Sequence, residues 1–353
     1  MATRVIGVDI GTTQVRAAEV ELSGKGPGAG GSATLVNFAT AQLPAGVVGD
    51  GEVLDTAGLA AVLKQLWASA KFSDKQVVVG FGNQRTVLRE LELSSMPLAE
   101  LRSSLPFQVA EMLPMSADEA LLDFYPTAEV EVDGAKQLRG ILVAASKHAV
   151  ANAIVAVEAA GLRPIGVDLS AFALLRAQVF GDWAQQVVAL VDIGARTTNV
   201  VVAQNGMPRF IRVLPSGGAE ATDAVASAMK VSLPEAEEYK RRIGIGTEVG
   251  PEYQLAKDAI ATTTKTLVDA VRNTFVYYAG NNPGAGIQHV VITGGGSHLP
   301  GLGQYLASAS RLPVSFGDGF SRVKVAKKAT TSVAGYETLG AIAVGLGMME
   351  VSS

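Results

Sequence analysis

Two stretches of the chain decide its fold: VIGVDIGTT at residues 5–13 and VALVDIGARTT at residues 188–198. Each is a short apolar run that ends in Asp-Ile-Gly and continues into hydroxyl side chains. A second β-like run follows each copy, at residues 15–22 and 199–203, and Asn205-Gly206 then predicts a type I′ turn. The same strand–turn–strand unit therefore opens each half of the chain. This repetition predicts a duplicated domain with a cleft between the two copies.

The composition limits the classes of protein to which the chain can belong. It has 353 residues, with 29 Lys and Arg against 33 Asp and Glu, and no Cys. The length leaves room for about two domains, and the net charge of −4 argues against nucleic-acid binding, which usually needs a basic face. The absence of Cys excludes disulfides, zinc–thiolate sites and a Cys nucleophile. Because no apolar run approaches the ~18 residues that span a bilayer, and the first residues lack a signal-peptide core, we expect a soluble cytoplasmic protein.

The pattern along the chain predicts three parts. Helices are predicted over 57–70 and 147–160, and a glycine-rich loop over 24–32. Residues 84–145 break the alternation with a strand, a helix and two strands joined at Asp133-Gly134. The predicted division is a first domain of residues 1–83 and 146–183, an inserted α/β subdomain of residues 84–145, and a second domain of residues 184–353 with its closing helix near 337–349 at the domain junction.

A strand that ends in Asp-x-Gly followed by hydroxyl residues is suited to hold phosphate and magnesium. Glycine lets the turn approach an oxygen closely, the turn amides and Thr hydroxyls donate to it, and the Asp binds Mg²⁺ through water. The alternative is an Asx-type turn in which Asp and Thr only stabilise a hairpin. Because the motif occurs twice, we favour two loops that face one polyphosphate. The candidate metal residues are Asp9 and Asp192, and the candidate phosphate residues are Gly11, Thr12, Thr13, Gly194, Ala195, Arg196, Thr197 and Thr198.

A third glycine-rich element follows the apolar run at residues 290–292. There Thr293 leads into Gly294, Gly295, Gly296 and Ser297. A strand that enters three glycines and then a helix lets the backbone approach a ligand and offers a helix N-terminus to an anion. Dense strand–helix packing is the alternative. The order of the three motifs, at the start, middle and end of one chain, is more specific than any of them alone.

With these motifs the chain resembles the actin/Hsp70/sugar-kinase superfamily. In that comparison Asp9–Thr13 is similar to the first phosphate loop, Asp192–Thr198 to the second, and Ile292–Gly296 to the adenosine loop. The resemblance implies an α/β, actin-like (ribonuclease H-like) duplicated two-domain fold with an interdomain nucleotide cleft, and it implies ATP and Mg²⁺ as cofactors.

The same resemblance adds candidate residues for the nucleotide. Gly217 and Gly218 are similar to the Gly-Gly pair that enters a helix in this superfamily. Residues 236–244 resemble the Ala-Glu-x-x-Lys helix of the bacterial actins, in which Glu237 and Lys240 would meet ribose and adenine. The alternative for this pair is an ordinary solvated ion pair at i,i+3 spacing.

The position of the insert indicates the branch of the superfamily. An α/β insert at 84–145 resembles the 1C subdomain of the cell-division protein FtsA and of its pilus relative, the PilM family of type IV pilus assembly proteins. Three short stretches, LPFQ at 105–108, EMLP at 111–114 and LDFY at 122–125, resemble PilM, as does RPIGVDLSAFAL at 163–174. The likeness covers essentially the whole chain.

Likeness to PilM implies a cytoplasmic, ATP-binding scaffold of the type IV pilus inner-membrane platform, which acts in pilus biogenesis and twitching motility. Its implied partner is the N-terminal cytoplasmic segment of a PilN-like inner-membrane protein, held in a groove between the first domain and the insert. Residues around Leu105–Tyr125 are candidates to line that groove. Other platform proteins, motor ATPases and self-association are further implied partners, with no nucleic acid and no direct membrane insertion. The protein would lie at the inner membrane through its protein partner.

Several positions depart from the family pattern. Arg16, a further candidate nucleotide-binding residue, stands where PilM proteins commonly have Lys after the first loop. Ala195 replaces a glycine that is usual in the second loop of Hsp70 and kinases, and Arg196 is a bulky cation that either meets a phosphate or points to solvent. Asp168 falls near the residue that orients the attacking water in actins, although an Asp that merely ends a strand is the alternative. We therefore expect ATP binding with at most slow hydrolysis, and Asp168 is the candidate catalytic residue.

Two other functions remain open from the sequence. One is an FtsA-like cell-division filament protein, but LGAIAVGLG at 339–347 resembles the closing helix of the superfamily rather than the basic membrane helix of FtsA. The other is a small-molecule kinase of the same superfamily. A kinase needs an Asp base and a polar substrate-binding insert, whereas this insert is rich in Leu, Met, Phe and Ala.

Overall fold

The computed structural model describes residues 3–24 and 31–350, so most of the glycine-rich loop predicted at 24–32 lies outside the described residues. Among the helices it describes, none is long and apolar enough to cross a bilayer. The strands are β1 (Thr3–Ile10), β2 (Gln14–Ser23), β3 (Ser32–Gln42), β4 (Val48–Gly49), β5 (Glu52–Val53), β6 (Gln76–Phe81), β7 (Val87–Ser94), β8 (Ala120–Val132), β9 (Ala135–Ser146), β10 (Arg163–Leu169), β11 (Val187–Ile193), β12 (Thr198–Gln204), β13 (Met207–Leu214), β14 (His289–Thr293), β15 (Val314–Phe316) and β16 (Lys324–Val325). The helices are α1 (Thr56–Ala70), α2 (Leu98–Val109), α3 (Lys147–Ala159), α4 (Ser170–Gln178), α5 (Gly218–Met229), α6 (Leu233–Ile243), α7 (Gln254–Asn281), α8 (Leu302–Ser310), α9 (Thr330–Val333) and α10 (Ala341–Gly347).

The first sheet has the strand order β10-β6-β1-β2-β3-β16. Strands β1, β2 and β3 form an antiparallel meander, and β6 pairs with both β1 and β10 in parallel. The central strand β1 is apolar on both faces, with Val5 buried on one face and Ile6 and Val8 on the other, as expected for a strand that is covered on both sides. Helix α1 begins after Asp55, whose carboxylate accepts a hydrogen bond from the Gly58 amide. The predicted helix over 57–70 is confirmed.

The second sheet repeats the opening hairpin of the first. Its order is β13-β12-β11-β14-β15, and β11 and β12 pair antiparallel as β1 and β2 do. Between β12 and β13, Asn205 and Gly206 have φ angles of 53° and 75°. Because a type I′ turn needs positive φ at both central residues, the predicted turn is confirmed. The two sheets define two lobes that each begin with the same strand–turn–strand unit.

A three-stranded antiparallel sheet lies within the range predicted as an insert. Its order is β7-β9-β8, with Asp133 and Gly134 at positive φ in the two-residue turn between β8 and β9. Helix α2 packs on one face of this sheet through Leu101, Leu105 and Val109, which are fully buried. The insert sheet also reaches the second lobe, where Glu90 on β7 forms an ion pair of 3.1 Å with Arg209 on β13.

The short helix α10 lies at the junction of the two lobes, within the predicted range 337–349. All of its residues are buried, and one apolar cluster joins it to α4 and to both sheets. Its glycines are required by close backbone approach: a Cβ atom on Gly345 would lie 1.9 Å from the Ala173 carbonyl oxygen, and one on Gly7 of β1 would lie 2.2 Å from the Ala343 carbonyl oxygen. Small residues at these positions let α10 pack directly against the backbone of α4 and β1.

Substitution of Gly345 by Ala tests this packing. Because the added methyl group would overlap the α4 backbone, we expect Gly345→Ala to lower the free energy of unfolding by at least about 2 kcal/mol. The matched control is Gly280→Ala near the end of α7, where a Cβ atom would meet nothing within 4 Å; it should be neutral or stabilising by up to ~1 kcal/mol. Chemical denaturation measures both, and equal stabilities of the two variants would contradict the packing argument.

Candidate functional site

The two repeated Asp-x-Gly motifs fold into the same tight turn. In the first turn the Gly11 amide donates to the Gln14 carbonyl at 3.1 Å, and in the second the Gly194 amide donates to the Thr197 carbonyl at 2.9 Å. A Cβ atom on either glycine would lie about 3 Å from the same carbonyl oxygen. Within the described residues, the amides at the tips of these turns donate to no backbone carbonyl: Thr12, Thr13, Ala195 and Arg196. Free turn amides of this kind are a common anion-binding feature.

The two aspartates lie near the ends of equivalent strands in different lobes. Asp9 is buried and forms an ion pair of 2.9 Å with Arg16, which lies directly opposite it on β2. Asp192 accepts hydrogen bonds from Asn199 at 3.3 Å and from Thr293 at 3.1 Å. The structure therefore places both predicted metal residues among polar side chains at the lobe junction.

Burial and neighbouring charges act on the pKa values of the two aspartates. Burial raises the pKa of Asp9, and the adjacent Arg16 guanidinium opposes that rise. Burial also raises the pKa of Asp192, the negative charge of Asp9 raises it further, and Arg16, Asn199 and Thr293 oppose the rise. Two carboxylates that repel each other in a confined space suit a divalent cation, which prefers oxygen ligands. The described residues contain no group of three or more acidic or imidazole ligands, so water and phosphate oxygens would complete the shell of a magnesium ion.

The second turn is held against the N-terminus of α5. The amides of Gly218 and Ala219 donate to the carbonyls of Gly194 and Ala195 at 2.9 and 2.8 Å. A Cβ atom on Gly217 would lie 2.6 Å from both of those carbonyl oxygens, so glycine is required there by close contact.

Two side chains of the second turn, those of Thr198 and Arg196, form polar contacts with other residues of the protein. The Thr198 hydroxyl is fully buried and donates to the Ser216 carbonyl at 2.7 Å. Arg196 forms an ion pair with Asp223 on α5 at the protein surface. Thr198 therefore supports the turn from beneath, whereas Arg196 lies beside it within reach of solvent.

The third glycine element packs on the second turn. Gly294 has φ of 81°, and a Cβ atom there would lie 2.4 Å from the Ile193 carbonyl oxygen and 2.8 Å from an Asp192 carboxylate oxygen. A Cβ atom on Gly296 would lie 2.3 Å from the Ile193 side chain. Ser297 is fully buried, and its hydroxyl donates to the Gly294 carbonyl. Gly295, by contrast, faces the cleft, and a Cβ atom added to it would have its nearest neighbour at 3.8 Å.

The predicted direct entry from these glycines into a helix is wrong. β14 ends at Thr293, a single 3₁₀ turn spans Gly295–His298, and α8 begins only at Leu302. The reason is local: Pro300 is followed by Gly301 at φ of 83°, which changes the chain direction before α8. The amides nearest the cleft are therefore those of a 3₁₀ turn rather than of an α-helix.

Glu237 and Lys240 are not a solvated surface pair. The Lys240 ammonium donates to the Gly218 carbonyl and the Thr222 hydroxyl at 3.0 Å each and lies 2.6 Å from Glu237. All three of its donors are thus directed at α5 and α6. Glu237 also accepts from Thr222 at 2.6 Å and from Arg241 at 2.8 Å. The pair fastens α6 to the first turn of α5 and so fixes Gly218.

A cleft of about 440 Å³ lies beside these elements. Six predicted residues line it: Gly217, Gly218, Glu237, Lys240, Gly295 and Gly296. The rest of its wall was not among the predicted site residues, although a few of its members lie within the quoted motifs: Gln14, Ile193, Ala221, Arg241, Thr263, Thr264, Leu267, His298, Leu299, Leu302, Gly335 and Leu339. The wall from α7 and α8 is apolar with a few hydroxyl groups, a surface suited to an aromatic base.

Asp168 is not among the cleft-lining residues of the described chain. It lies on β10 opposite Gly80, its carboxylate is 2.7 Å from Arg176 on α4, and it also accepts from the Leu169 amide. The ion pair with Arg176 and the strand-end position agree with the structural alternative for this residue.

The protein has two lobes that open with the same strand–turn–strand unit, a cleft beside the repeated turns, and a short helix buried between the lobes. These features define an actin-like protein. The PilM of a solved PilM–PilN type IV pilus biogenesis complex superposes with a TM-score of 0.83 and 26 % identity over 99 % of both chains. Two more distant structures share the fold: EutJ of Carboxydothermus hydrogenoformans, with a TM-score of 0.56 and 16 % identity over 98 % of this chain and 90 % of EutJ, and MreB 5 of Spiroplasma citri bound to AMPPNP, with 0.52 and 13 % over 97 % and 94 %.

The family model of the type IV pilus assembly protein PilM matches residues 7–351, and the chain belongs to that family. Curated relatives are the cell-division protein FtsA of Bacillus subtilis, 33 % identical over 108 residues (31 % of this chain and 24 % of FtsA), and FtsA of Neisseria meningitidis, 24 % identical over 194 residues (50 % and 47 %). The chain thus spans about a quarter to a half of the length of these curated relatives.

The Glu237 network predicts a pH dependence of stability. Burial opposes ionisation, but hydrogen bonds from Lys240, Thr222 and Arg241 outweigh it and lower the pKa of Glu237. A carboxyl with a lowered folded-state pKa stabilises the protein above its unfolded-state pKa and loses that effect as the pH falls through the folded-state value. Glu237→Gln should therefore be less stable than the natural protein at pH 7, and the difference should shrink as the pH falls through the folded-state pKa, as measured by thermal unfolding. Glu238→Gln, an equal change of charge at an exposed neighbour, is the control; the same loss in both variants would contradict the prediction.

Proposed function

We propose that the protein is a nucleotide-binding scaffold of the type IV pilus inner-membrane platform. In this proposal it holds Mg–ATP in the cleft between its lobes and binds the N-terminal cytoplasmic segment of a PilN-like inner-membrane protein. The observation that carries the nucleotide part is the pair of equivalent Asp-x-Gly turns, with free amides at their tips and an aspartate near the end of each preceding strand. The PilM–PilN complex among the similar structures supports the partner.

Each part of the site has a role in nucleotide binding. The turn amides of residues 12–13 and 195–196 would donate to phosphate oxygens, and Asp9 and Asp192 would hold Mg²⁺ through water. The 3₁₀ turn at Gly295–Gly296 would lie against the ribose and the apolar wall from α7 and α8 against the base. Glu237 keeps free acceptor capacity for a ribose hydroxyl, whereas Lys240 acts by positioning Gly218. Structures of MreB 5 bound to AMPPNP and to ADP support a nucleotide ligand for this fold.

Slow hydrolysis agrees with the contacts of Asp168. A carboxylate that orients an attacking water needs a free oxygen beside the phosphate. Asp168 instead directs its oxygens to Arg176 and to the Leu169 amide. The protein in this proposal therefore binds ATP as a ligand that sets its conformation rather than as a rapidly turned-over substrate.

The partner groove in this proposal lies between the insert and α4. Tyr125 on β8 stacks on Phe172 of α4 with ring centroids 4.7 Å apart, and Leu121 lies on the same face of β8. Both remain exposed, by 38 % and 44 %. β8 is an edge strand of its sheet, so an extended peptide has both apolar side chains and backbone groups to bind. Leu105, within the same candidate stretch, is fully buried in the packing of α2 on the sheet and supports this surface from within.

Charge indicates the kind of peptide that fits. Residues 95–134 contain eight Asp and Glu but one basic residue, Arg102, in a chain whose total net charge is −4. Arg102 pairs with Asp123, and the other seven acidic side chains have no ion-pair partner within the described residues. Cytoplasmic segments next to a membrane-spanning helix are rich in Lys and Arg, so such a segment with apolar anchors complements this surface. Binding of this kind would place the protein at the inner membrane on its cytoplasmic side.

Removal of the carboxylate that precedes either turn tests the nucleotide site. We expect Asp9→Asn and Asp192→Asn to weaken Mg–ATP binding at least about tenfold and to abolish the effect of EDTA on ATP affinity, because each removes a metal-binding oxygen. Calorimetric titration with and without Mg²⁺ measures this. Asp182→Asn, the same change at an exposed residue outside the cleft, should bind as the natural protein does. Natural Mg–ATP affinity in both the Asp9→Asn and the Asp192→Asn variant would contradict the two-turn site.

Substitution on β8 tests the partner groove. A synthetic peptide of the N-terminus of the PilN-like protein should bind the natural chain, and Leu121→Ser should weaken that binding about tenfold or more because an apolar anchor is lost. Phe107→Ser is the control: Phe107 is 85 % exposed on α2, which packs on the opposite face of the insert sheet. If Phe107→Ser weakened binding and Leu121→Ser did not, the groove between the insert and α4 would be the wrong surface.

A further inference from the structure

We propose that Thr264 on α7 is the residue through which the cleft recognises the nucleobase, and that its hydroxyl, set in an otherwise apolar part of the wall, selects adenine over guanine. This inference rests on the proposed nucleotide site and assigns a specificity-determining residue within it. The feature that carries it is a hydroxyl on a buried residue of the cleft wall that the protein itself does not use.

Thr264 differs from three other threonines of its helix. The hydroxyls of Thr263, Thr266 and Thr274 each donate to the carbonyl four residues earlier, at 2.9, 3.1 and 2.9 Å, which is the usual partner of a threonine within a helix. The hydroxyl of Thr264 makes no hydrogen bond in the part of the chain that the structure describes. The residue is only 4 % exposed, and it lines the cleft. Its hydroxyl is therefore available to a ligand in the cleft.

The helix explains why this hydroxyl has no partner within it. The carbonyl one turn before Thr264 belongs to Ile260, and α-helical geometry already directs the Thr264 amide to that oxygen. The Thr263 hydroxyl lies 3.1 Å from the same oxygen. Since a carbonyl oxygen has two lone pairs, no acceptor position remains for the Thr264 hydroxyl. A buried hydroxyl without a partner costs free energy, so a ligand that supplies the partner gains affinity.

The surroundings of Thr264 restrict the kind of ligand group that fits. Leu267, three residues further along the same helix face, lines the same cleft, and α5 and the chain around α8 add further apolar side chains: Ala221, Leu299 and Leu302. A flat aromatic ring with a polar edge matches an apolar surface that carries one well-placed hydroxyl. Because a hydroxyl both donates and accepts, it pairs with the ring nitrogen and the amino group that lie side by side on adenine.

Guanine matches this wall less well. Its N7 and O6 are both acceptors, and its N1–H and N2–H donors need two acceptors side by side. Glu237 is the one carboxylate among the described residues that line the cleft. Of its roughly four acceptor positions, three are taken by Lys240, Thr222 and Arg241, which leaves one for a ribose hydroxyl. Unpaired polar groups on the buried base would therefore lower the affinity for a guanine nucleotide.

Replacement of Thr264 by valine tests this role, because valine has nearly the same shape without the hydroxyl. In calorimetric titration with Mg²⁺ present, we expect Thr264→Val to bind ATP about three- to tenfold more weakly than the natural protein, since a hydrogen bond to the base is lost. Ribose 5′-triphosphate, which carries no base, should bind both proteins equally. The natural protein should bind GTP at least about tenfold more weakly than ATP, and this preference should fall in Thr264→Val.

Thermal unfolding without nucleotide distinguishes ligand recognition from a structural role. Because the Thr264 hydroxyl is unpaired in the protein, Thr264→Val should leave the thermal midpoint unchanged or raise it. Thr274→Val is the matched control: Thr274 is fully buried on the same helix, outside the cleft wall, and donates to the Ala270 carbonyl. This control should lower the midpoint and leave the affinities for ATP and GTP unchanged. Thr264→Ser keeps the hydroxyl and should keep the preference for ATP over GTP.

The outcomes separate this inference from the proposed function. If Thr264→Val bound ATP as tightly as the natural protein does, or lost affinity for ATP and ribose 5′-triphosphate equally, the role in base recognition would be overturned while the nucleotide site would stand. A Thr264→Val protein that was unfolded or less stable than the natural protein would show that the hydroxyl is paired within the fold, and it would overturn the role as well. Only a natural protein that bound no ATP would overturn the nucleotide site and the role of Thr264 together.

Discussion

The contact on which the cleft depends is the packing of the second turn between two glycine positions. Gly217 approaches the turn carbonyls to 2.6 Å from the α5 side, and Gly294 approaches the Ile193 carbonyl to 2.4 Å from the β14 side, as measured from where a Cβ atom would be. The carbonyls of Gly194 and Ala195 accept hydrogen bonds from α5. Because this fixes the orientation of the turn, its own amides stay free, and Asp192 is held at the lobe junction. A side chain at either glycine would move the turn and the carboxylate together.

Short patterns in the sequence were sufficient to predict the main hairpins and turns of the molecule. The repeated Asp-Ile-Gly runs predicted both opening hairpins, and Asn205-Gly206 predicted its turn. Both predictions succeed because each depends on a few neighbouring residues: an apolar run of strand length, or a dipeptide that tolerates positive φ. The closing helix at 339–347 was expected from resemblance to the superfamily, and the structure has α10 there. The actin-like fold, expected from the order of three motifs, is confirmed by the similar structures.

The parts that the sequence could not predict depend on contacts between distant elements. Thr263, Thr264 and Leu267 lie in a long amphipathic helix whose pattern is that of any core helix, so nothing local marks them as cleft wall. Lys240 looked like a ligand contact by position, but its three donors are used by α5 and α6, which only the packing of those helices reveals.

The insert borders the proposed peptide groove and also contacts the second lobe, which carries most of the nucleotide cleft. The insert is covalently part of the first lobe, but Glu90 pairs with Arg209 on β13 of the second. β13 continues from Arg209 to Leu214 and leads within three residues to Gly217 at the cleft. Because β13 pairs with β12 on both sides of a register shift at Arg209, a change in the angle between the lobes displaces Arg209 and Gly217 together. To keep the ion pair between Glu90 and Arg209, the insert must therefore move with the second lobe. The groove between the insert and α4 would then move as well.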